Sequence, residues 1–351
     1  MISLRTQRAL DRHLCGRFVH AHSCIRHSWA CSGRVRFRRV PILSDQPLRL
    51  TQYDRLVIDV LNYPPPDWSR KPSRKAVKQA LDLNEQGRVK MDDSRLDEAE
   101  RLFMASIETA PVIGMPWFNL GLIYKRQLRW PQAAACNQRS LDLGTDEHDP
   151  AFWNLGIAAT ALRDWDTARR AWSGFGIEVE SGSGPIEMDF GPSPVRINPT
   201  GSAEVVWGQR IDPARILLDN IPLPGSGHRW HDIVLHDGEP RGERSFGEHT
   251  FSVFDELERW QPSSTPTSEC LLTGPSNDLG DLTDRFRSEG WALEDWTSNI
   301  RMLCRTCSEG SPDSHTHGAF PSEVEGSHVG VAAPEDIATR LLDNWISQVP
   351  G

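Results

Sequence analysis

No stretch of the 351 residues stays apolar for the roughly 18 residues that a membrane-spanning helix needs, so an integral helical membrane protein is excluded. No glycine-rich phosphate loop, nucleophile elbow or His-Glu-x-x-His motif occurs, and three widespread catalytic signatures therefore have no carrier. Lysine and glutamate are missing from residues 1–50. No apolar run follows the arginines of that segment, so it does not have the plan of a secretory signal peptide. Cysteine is sparse and odd in number, at 7, with no framework spacing, which excludes a disulfide scaffold and fits a reducing, cytoplasmic compartment.

The composition fits folded domains. Apolar residues make up 38% and charged residues 25% of a length that suits two or three domains. The charge is unevenly spread. Ten arginines against Asp11 and Asp45 give residues 1–50 a net +8, and the remaining chain carries −17 of the total −9. An acidic body argues against nucleic-acid binding, except through the basic segment. That segment also holds Cys15, Cys24 and Cys31 and four histidines. It reads as a basic arm, a transit peptide, a Cys/His metal knot or an unstructured extension, even upstream sequence translated from an early start codon. Its lack of apolar periodicity points to the unstructured extension.

Self-similarity is the strongest signal. Leu83–Gly87, Trp117–Gly121 and Phe152–Gly156 each precede an alanine (Ala99, Ala133, Ala168) by the same offset, and the glycines recur after 34 and 35 residues. Leu96, Ala99, Leu102, Phe103 and Ile107 recur at helical spacing. Leu96, Trp130 and Trp165 follow the expected turn in each unit. Large residue, Leu-Gly, then small Ala at this period resembles the tetratricopeptide repeat over residues 74–177. The resemblance implies three antiparallel helix pairs, with Gln86 and Lys90 marking the first as an atypical cap. It further implies that a protein or peptide partner lies against the concave face made by the first helices. The positions carried over for that face are Phe118, Asn119, Leu122, Lys125, Arg126, Trp153, Asn154 and Ile157. The carboxylate-clamp version of the family needs lysine where this chain has Asn84, Phe118 and Trp153, so that clamp is not expected. The face reads as aromatic and aliphatic, and either grips an apolar helix or extended peptide or is covered by the C-terminal half of the chain.

Beyond Gly176 the composition shifts. Ser181–Pro185 reads as a connection, and short β-like runs follow at Pro194–Ile197, Ala203–Trp207, Arg215–Leu218 and Asp232–His236, the last ending at an Asp237-Gly238 turn signal. Phe251–Leu257 reads as a short helix, Ser268–Leu272 as a strand, Asp278–Glu289 as a helix and Ser298–Leu303 as a strand. This half resembles the C-terminal part of uncharacterised bacterial tetratricopeptide proteins. Cys304 and Cys307 with His315 and His317 are a candidate zinc set, because two thiolates and two imidazoles complete a tetrahedron. His228, His231 and His236 lie near Asp232 and Asp237, yet spacing along a strand does not make them converge. Ile337, Leu341, Leu342, Trp345 and Ile346 form one apolar helix face after Pro334 that must be buried on the body or on a partner.

The expected fold is multidomain, a helical repeat stack followed by a small α+β domain. The expected boundaries are an extension at 1–50, a linker at 51–73, repeats at 74–177, the α+β domain at 178–307, a flexible linker at 308–332 and a C-terminal helix at 333–349. The expected function is a non-enzymatic interaction module. The alternative is a zinc-binding or catalytic C-terminal domain with the repeats as substrate or partner holder.

Overall fold

The computed structural model describes residues 35–39, 60, 61, 63, 71–144, 149–201, 203–246, 248–272, 279–296 and 326–348. They fall into two compact units, Asp45–Met188 and the combination of Met1–Ser44 with Asp189–Gly351.

The first unit is a stack of three helical hairpins: α1 (Arg74–Asp92) with α2 (Leu96–Thr109), α3 (Gly114–Arg126) with α4 (Trp130–Asp142), and α5 (Pro150–Ala161) with α6 (Trp165–Gly174). Each first helix carries a glycine that admits one side chain of its second helix against bare backbone. A Cβ on Gly87 would meet the Phe103 ring at 2.5 Å, one on Gly121 the Asn137 amide at 2.7 Å, and one on Gly156 the Trp172 ring at 2.7 Å. Phe103, Asn137 and Trp172 stand at one repeat position, one helical turn beyond the fully buried Ala99, Ala133 and Ala168. Serines add a second tie, with Ser106 Oγ donating to the Ala80 carbonyl at 2.6 Å and Ser140 Oγ to that of Gly114 at 3.2 Å.

The hairpin turns are alike in all three repeats although their sequences differ. Ser94, Leu128 and Arg163 adopt φ of 61°, 57° and 60°. The next residue's N–H reaches back to a carbonyl one turn inside the helix: Arg95 to Lys90, Arg129 to Tyr124, Asp164 to Ala159. This is the left-handed helix cap that glycine ordinarily supplies. Because none of the three is glycine, it left no mark in the sequence.

The two ends of the stack are built differently. Helix α1 buries only Ala80, Asn84, Gly87 and Met91, a single face, while α3 and α5 bury residues on two. Where the inner helices have Leu120 and Leu155, α1 has the exposed Gln86. At the other end the Arg169 guanidinium on α6 gathers carbonyls of the following segment, donating to Glu180 at 2.9 Å, Gly184 at 2.7 Å and Pro185 at 3.4 Å. The Ser/Gly connection is thereby folded back onto α6.

The second unit begins with a closed five-stranded barrel, β2 (Pro192–Ile197), β3 (Glu204–Arg210), β4 (Arg215–Leu218), β5 (Ile233–Phe246) and β6 (His249–Gln261). Consecutive strands pair antiparallel. An odd meander returns its last strand in the direction of its first, so closure between β2 and β6 is parallel, through Val195 with Phe254 and Arg196 with Asp255. Val195, Ile197, Val206, Ile216, Leu218, Val234 and Phe254 fill the interior.

Two expectations are corrected here. Asp237-Gly238 is not a hairpin turn. It lies in a bulge of β5, where the register jumps from His236 opposite Glu256 to Pro240 opposite Phe254, with Gly238 at φ 71°. The bulge faces the part of β6 that pairs with β2, and the bend it puts into the ribbon serves barrel closure. Phe251–Leu257 is not a helix but part of β6, because β5 supplies its ladder partners.

A four-stranded antiparallel sheet follows, in the order β1 (Val35–Arg39), β7 (Thr267–Leu272), β9 (Ser327–Ala332), β8 (Ala292–Asp295). Helices α7 (Leu279–Ser288) and α8 (Glu335–Ile346) cover one face, with Leu282, Phe286, Leu341, Leu342 and Trp345 packed on Cys270, Leu293, Val329 and Val331. The apolar face of α8 is thus buried on the body of its own unit. On the opposite face Trp296 and Ile221 sit over Gly330 and Ala332. Trp296 Nε1 donates to the Ile221 carbonyl at 3.1 Å, and the Glu294 carboxylate accepts from Asn220 Nδ2 and Ile221 N, which ties sheet to barrel.

This sheet departs from the sequence reading. The tail of the expected 308–332 linker is β9, a central strand, and residues 35–39 of the expected extension form β1. The expected strand Ser298–Leu303 lies outside the described residues, and the strand after α7 is β8.

Gly156→Leu or Gly121→Leu should lower the urea midpoint by the equivalent of about 1–3 kcal/mol or more, since the facing side chain has no room to retreat. Leu128→Gly should act in the opposite sense, raising the midpoint by up to about 1 kcal/mol, because it relieves a left-handed backbone at a residue that is 38% exposed.

Candidate partner-binding face of the helical unit

The proposed face consists of residues on α3 and α5. Phe118, Leu122 and Lys125 are partly exposed and Arg126 is exposed, all on α3, and Trp153 is partly exposed on α5. Phe118 and Trp153 occupy the same repeat position. The Trp153 ring packs edge-on against Trp172 at 5.2 Å and tilted against Phe175 at 5.1 Å, so its own repeat props it from behind.

The other three candidates lie in the interior. Asn119 is 8% exposed, and its Nδ2 donates to Asn84 Oδ1 at 2.9 Å, a link between the first helices of neighbouring repeats. Asn154 is 5% exposed and donates back to the Pro150 carbonyl at 3.2 Å, and Ile157 is fully buried. Spacing placed all three on the right helices but could not separate the helix face turned to its neighbours from the one turned outward.

A buried polar group between the first two repeats escaped the sequence reading. Tyr124 Oη donates to Glu100 Oε1 at 3.1 Å, Arg129 Nη1 reaches the same oxygen at 3.2 Å, and the guanidinium lies 4.2 Å from the Tyr124 ring centre. Burial, then the Glu100 charge, pushes the phenol pKa well up, so the hydroxyl stays a donor. A Tyr after the Leu-Gly pair and an Arg at the turn were the visible signals. What joins them, Glu100, looked like one more surface acid.

The cysteines and histidines go to separate places. Cys304, Cys307, His315 and His317 lie outside the described residues, and among the described residues no group of three metal-ligating side chains assembles. Cys136 and Cys270 are buried and unpaired, and burial, then the Glu269 charge, pushes the Cys270 thiol up to about 12. A thiol held protonated in this way is a poor nucleophile.

His228, His231 and His236 do not converge. His228 Nε2 is 2.7 Å from Glu256 Oε1 and its Nδ1 is 3.2 Å from the Ser226 carbonyl. Both ring nitrogens face acceptors, which suits the imidazolium. Burial lowers the pKa of this group, but the bond to Glu256 and its charge outweigh that and the net shift is upward. The second Glu256 oxygen accepts from Asn198 N at 2.9 Å, and Asn198 Nδ2 donates to the Ser226 carbonyl at 2.8 Å. One charged cluster therefore pins the end of β2 and the Pro224–Ser226 turn to β6. His231 stacks on Trp230 with ring centres 3.4 Å apart. His236 is fully buried on Phe254, its Nδ1 accepts from Gly238 N at 3.1 Å, and burial with the Arg210 charge drives its pKa far down. Asp232 accepts from Ser263 N and Arg229 N and lies 3.7 Å from the Arg259 guanidinium.

No protein-family model matches the sequence, and no curated protein matches it. Two solved structures are similar in part. The first TPR of Spaghetti (RPAP3), solved bound to the HSP90 peptide SRMEEVD, is 20% identical with a TM-score of 0.27, over 28% of this chain and 78% of that one. A chain of the CopN-Scc3 complex is 14% identical with a TM-score of 0.30, over 39% of this chain and 81% of that one. The scores are low, and the helical-repeat architecture stands on the chain's own geometry. No helix among the described residues is long and apolar enough to cross a membrane.

The two buried histidines oppose each other in their effect on stability. The raised His228 contributes stability below the unfolded value of 6.5 that is lost as pH rises through its folded pKa. The depressed His236 contributes stability above 6.5 that is lost as pH falls toward its folded pKa. Thermal melts should show the histidine-dependent maximum near 6.5. Glu256→Gln should flatten the alkaline limb and His236→Phe the acid limb. An unchanged profile in both variants would remove these assignments.

Proposed function

We propose that the helical unit is a protein-interaction module that holds a protein or peptide segment across its first helices. Phe118, Leu122 and Trp153 supply apolar contact, and Lys125 and Arg126 supply positive charge at the C-terminal end of α3. One observation carries this reading. Equivalent positions on successive first helices keep large aromatic side chains partly exposed, each backed by packed neighbours: Phe118 by Leu141, Ala151 and Leu155, and Trp153 by Trp172 and Phe175. Partly exposed aromatic groups backed by rigid neighbours are the usual anchors of interfaces. Asn119, Asn154 and Ile157 support the face from inside.

The test uses the full chain as bait with single variants. Arg126→Glu should reduce capture of a bound partner at least tenfold while leaving the melting temperature within a degree or two, and Phe118→Ala should reduce capture as strongly but also lower stability, because its ring packs on the buried Leu141, Ala151 and Leu155. Trp153→Ala should do both, reducing capture and costing stability, by less than the roughly 3–5 kcal/mol of a fully buried Trp because its ring is partly exposed. Undiminished capture by all three variants would place the functional surface elsewhere.

A further inference from the structure

The β1 edge of the four-stranded sheet points to a second interaction site, on the other unit. Among the described residues, strand β7 is paired on that flank by β1 alone, five residues long. Val35 stands opposite Leu272, Phe37 opposite Cys270, Arg38 opposite Glu269 and Arg39 opposite Ser268. The strand comes from the far end of the chain. Residues 40–266 separate it from β7, and the chain passes through the whole helical unit in between. Every other strand pair in this sheet is closed by a much shorter path. A five-residue edge strand that must close so long a loop gains little from its few pairings.

The geometry points to the β7 edge as an acceptor for an added strand, with residues 35–39 as its resident, displaceable occupant. The ligand it fits is an extended peptide that alternates apolar and cationic residues. The resident strand itself, Val-Arg-Phe-Arg-Arg, shows the pattern. Its apolar positions register with Cys270 and Leu272, which belong to the core under α7 and α8. Its cationic position 38 registers with Glu269, whose side chain is 30% exposed and whose Oε1 lies 3.2 Å from His328 Nδ1. Opposite charges directly across an antiparallel pair are favourable, and backbone pairing at an edge supplies affinity while alternate side chains supply selectivity. An edge of this kind left bare is a template for unspecific pairing, so a tethered basic strand also guards it.

The probe is a fluorescent peptide of residues 33–41, read by anisotropy against the full chain and against a chain lacking residues 1–44, whose folding is checked by its melting transition. The truncated chain should bind the peptide saturably at one per chain. The full chain should bind at least tenfold more weakly but still saturably, because its own strand competes. Full-length Arg38→Glu, which sets like charges opposite each other, should bind more tightly than wild type, and it serves as the reading if the truncated chain does not fold. A peptide with Ile-Lys-Tyr-Lys-Lys in place of residues 35–39 should bind as well. Phe37→Pro in the peptide should abolish binding, and Glu269→Lys in the acceptor should weaken it at least fivefold. Absence of saturable binding to both the truncated and the Arg38→Glu chains would overturn the proposal. So would binding that ignores the alternation, or a full chain into which no peptide exchanges.

Discussion

The helical unit depends on one steric constraint, the contact of a second-helix side chain with bare backbone on the first. At Gly87, Gly121 and Gly156 the partner approaches so closely that even a methyl group would overlap it. That approach sets the distance between the helices of each hairpin. With the hairpin fixed, the left-handed turns at Ser94, Leu128 and Arg163 follow as the way to reverse direction within so short a connection. With the turns fixed, Phe118 and Trp153 come to equivalent places on successive first helices. The apolar face proposed for partner binding is therefore a consequence of three hydrogens where side chains would otherwise be.

The barrel solves a different problem. Five strands in meander order can close only if the last strand bends back to the first. Three residues of β5, Asp237–Glu239, are left over opposite Asp255, and Asp255 is the residue whose carboxylate takes the Arg196 guanidinium across the closing pair, at 2.6 and 2.8 Å. One side of β6 thus meets an irregular strand and the other meets β2, with a bidentate ion pair locking the seam. The His228–Glu256–Asn198 cluster lies one residue further along β6 and fastens the adjoining turn. A neutral aliphatic contact at that point would close the barrel equally well, but it would not carry the opposing proton linkage of His228 and His236.

Much of the helical unit was legible because its information is local. The recurrence of Gly and Ala at a fixed offset states both the hairpin and its closest contact, and the polar Gln86 in place of Leu states which end is terminal. The sheet was not legible for the converse reason. Strand β9 carries Gly330 because the Trp296 ring occupies the space of a side chain there, and that glycine weakens the very alternation that would have announced a strand. Its neighbours Val329 and Val331 are fully buried, but two valines beside a Ser/Gly/Pro-rich stretch read as linker. Asp237-Gly238 misled because the same dipeptide serves hairpin turns and bulges, and only the partner strand decides between them. At the candidate face, helix periodicity located the residues, while their inward or outward direction depended on contacts such as Asn119 with Asn84 that no spacing reveals.

The ends of the stack bear on which of its surfaces remain for a partner. Repeat arrays grow by stacking end to end, and an open end shows the apolar residues that the next repeat would cover. Here α1 presents Gln86 and the exposed Asp82 at its outer side, and α6 has the Arg169 guanidinium holding the carbonyls of the segment that follows it. A planar cation with five donors suits this task, because it satisfies several carbonyls at once and keeps a glycine-rich segment in place without a core of its own. On α1, Leu81 and Val89 are 37% and 50% exposed, so the outer side of that helix mixes polar and apolar groups. The flank of α1 carries mixed charges, with Glu85 paired to Arg88, whereas on the first helices α3 and α5 the groups that reach solvent include the aromatic Phe118 and Trp153 and the cationic Lys125 and Arg126.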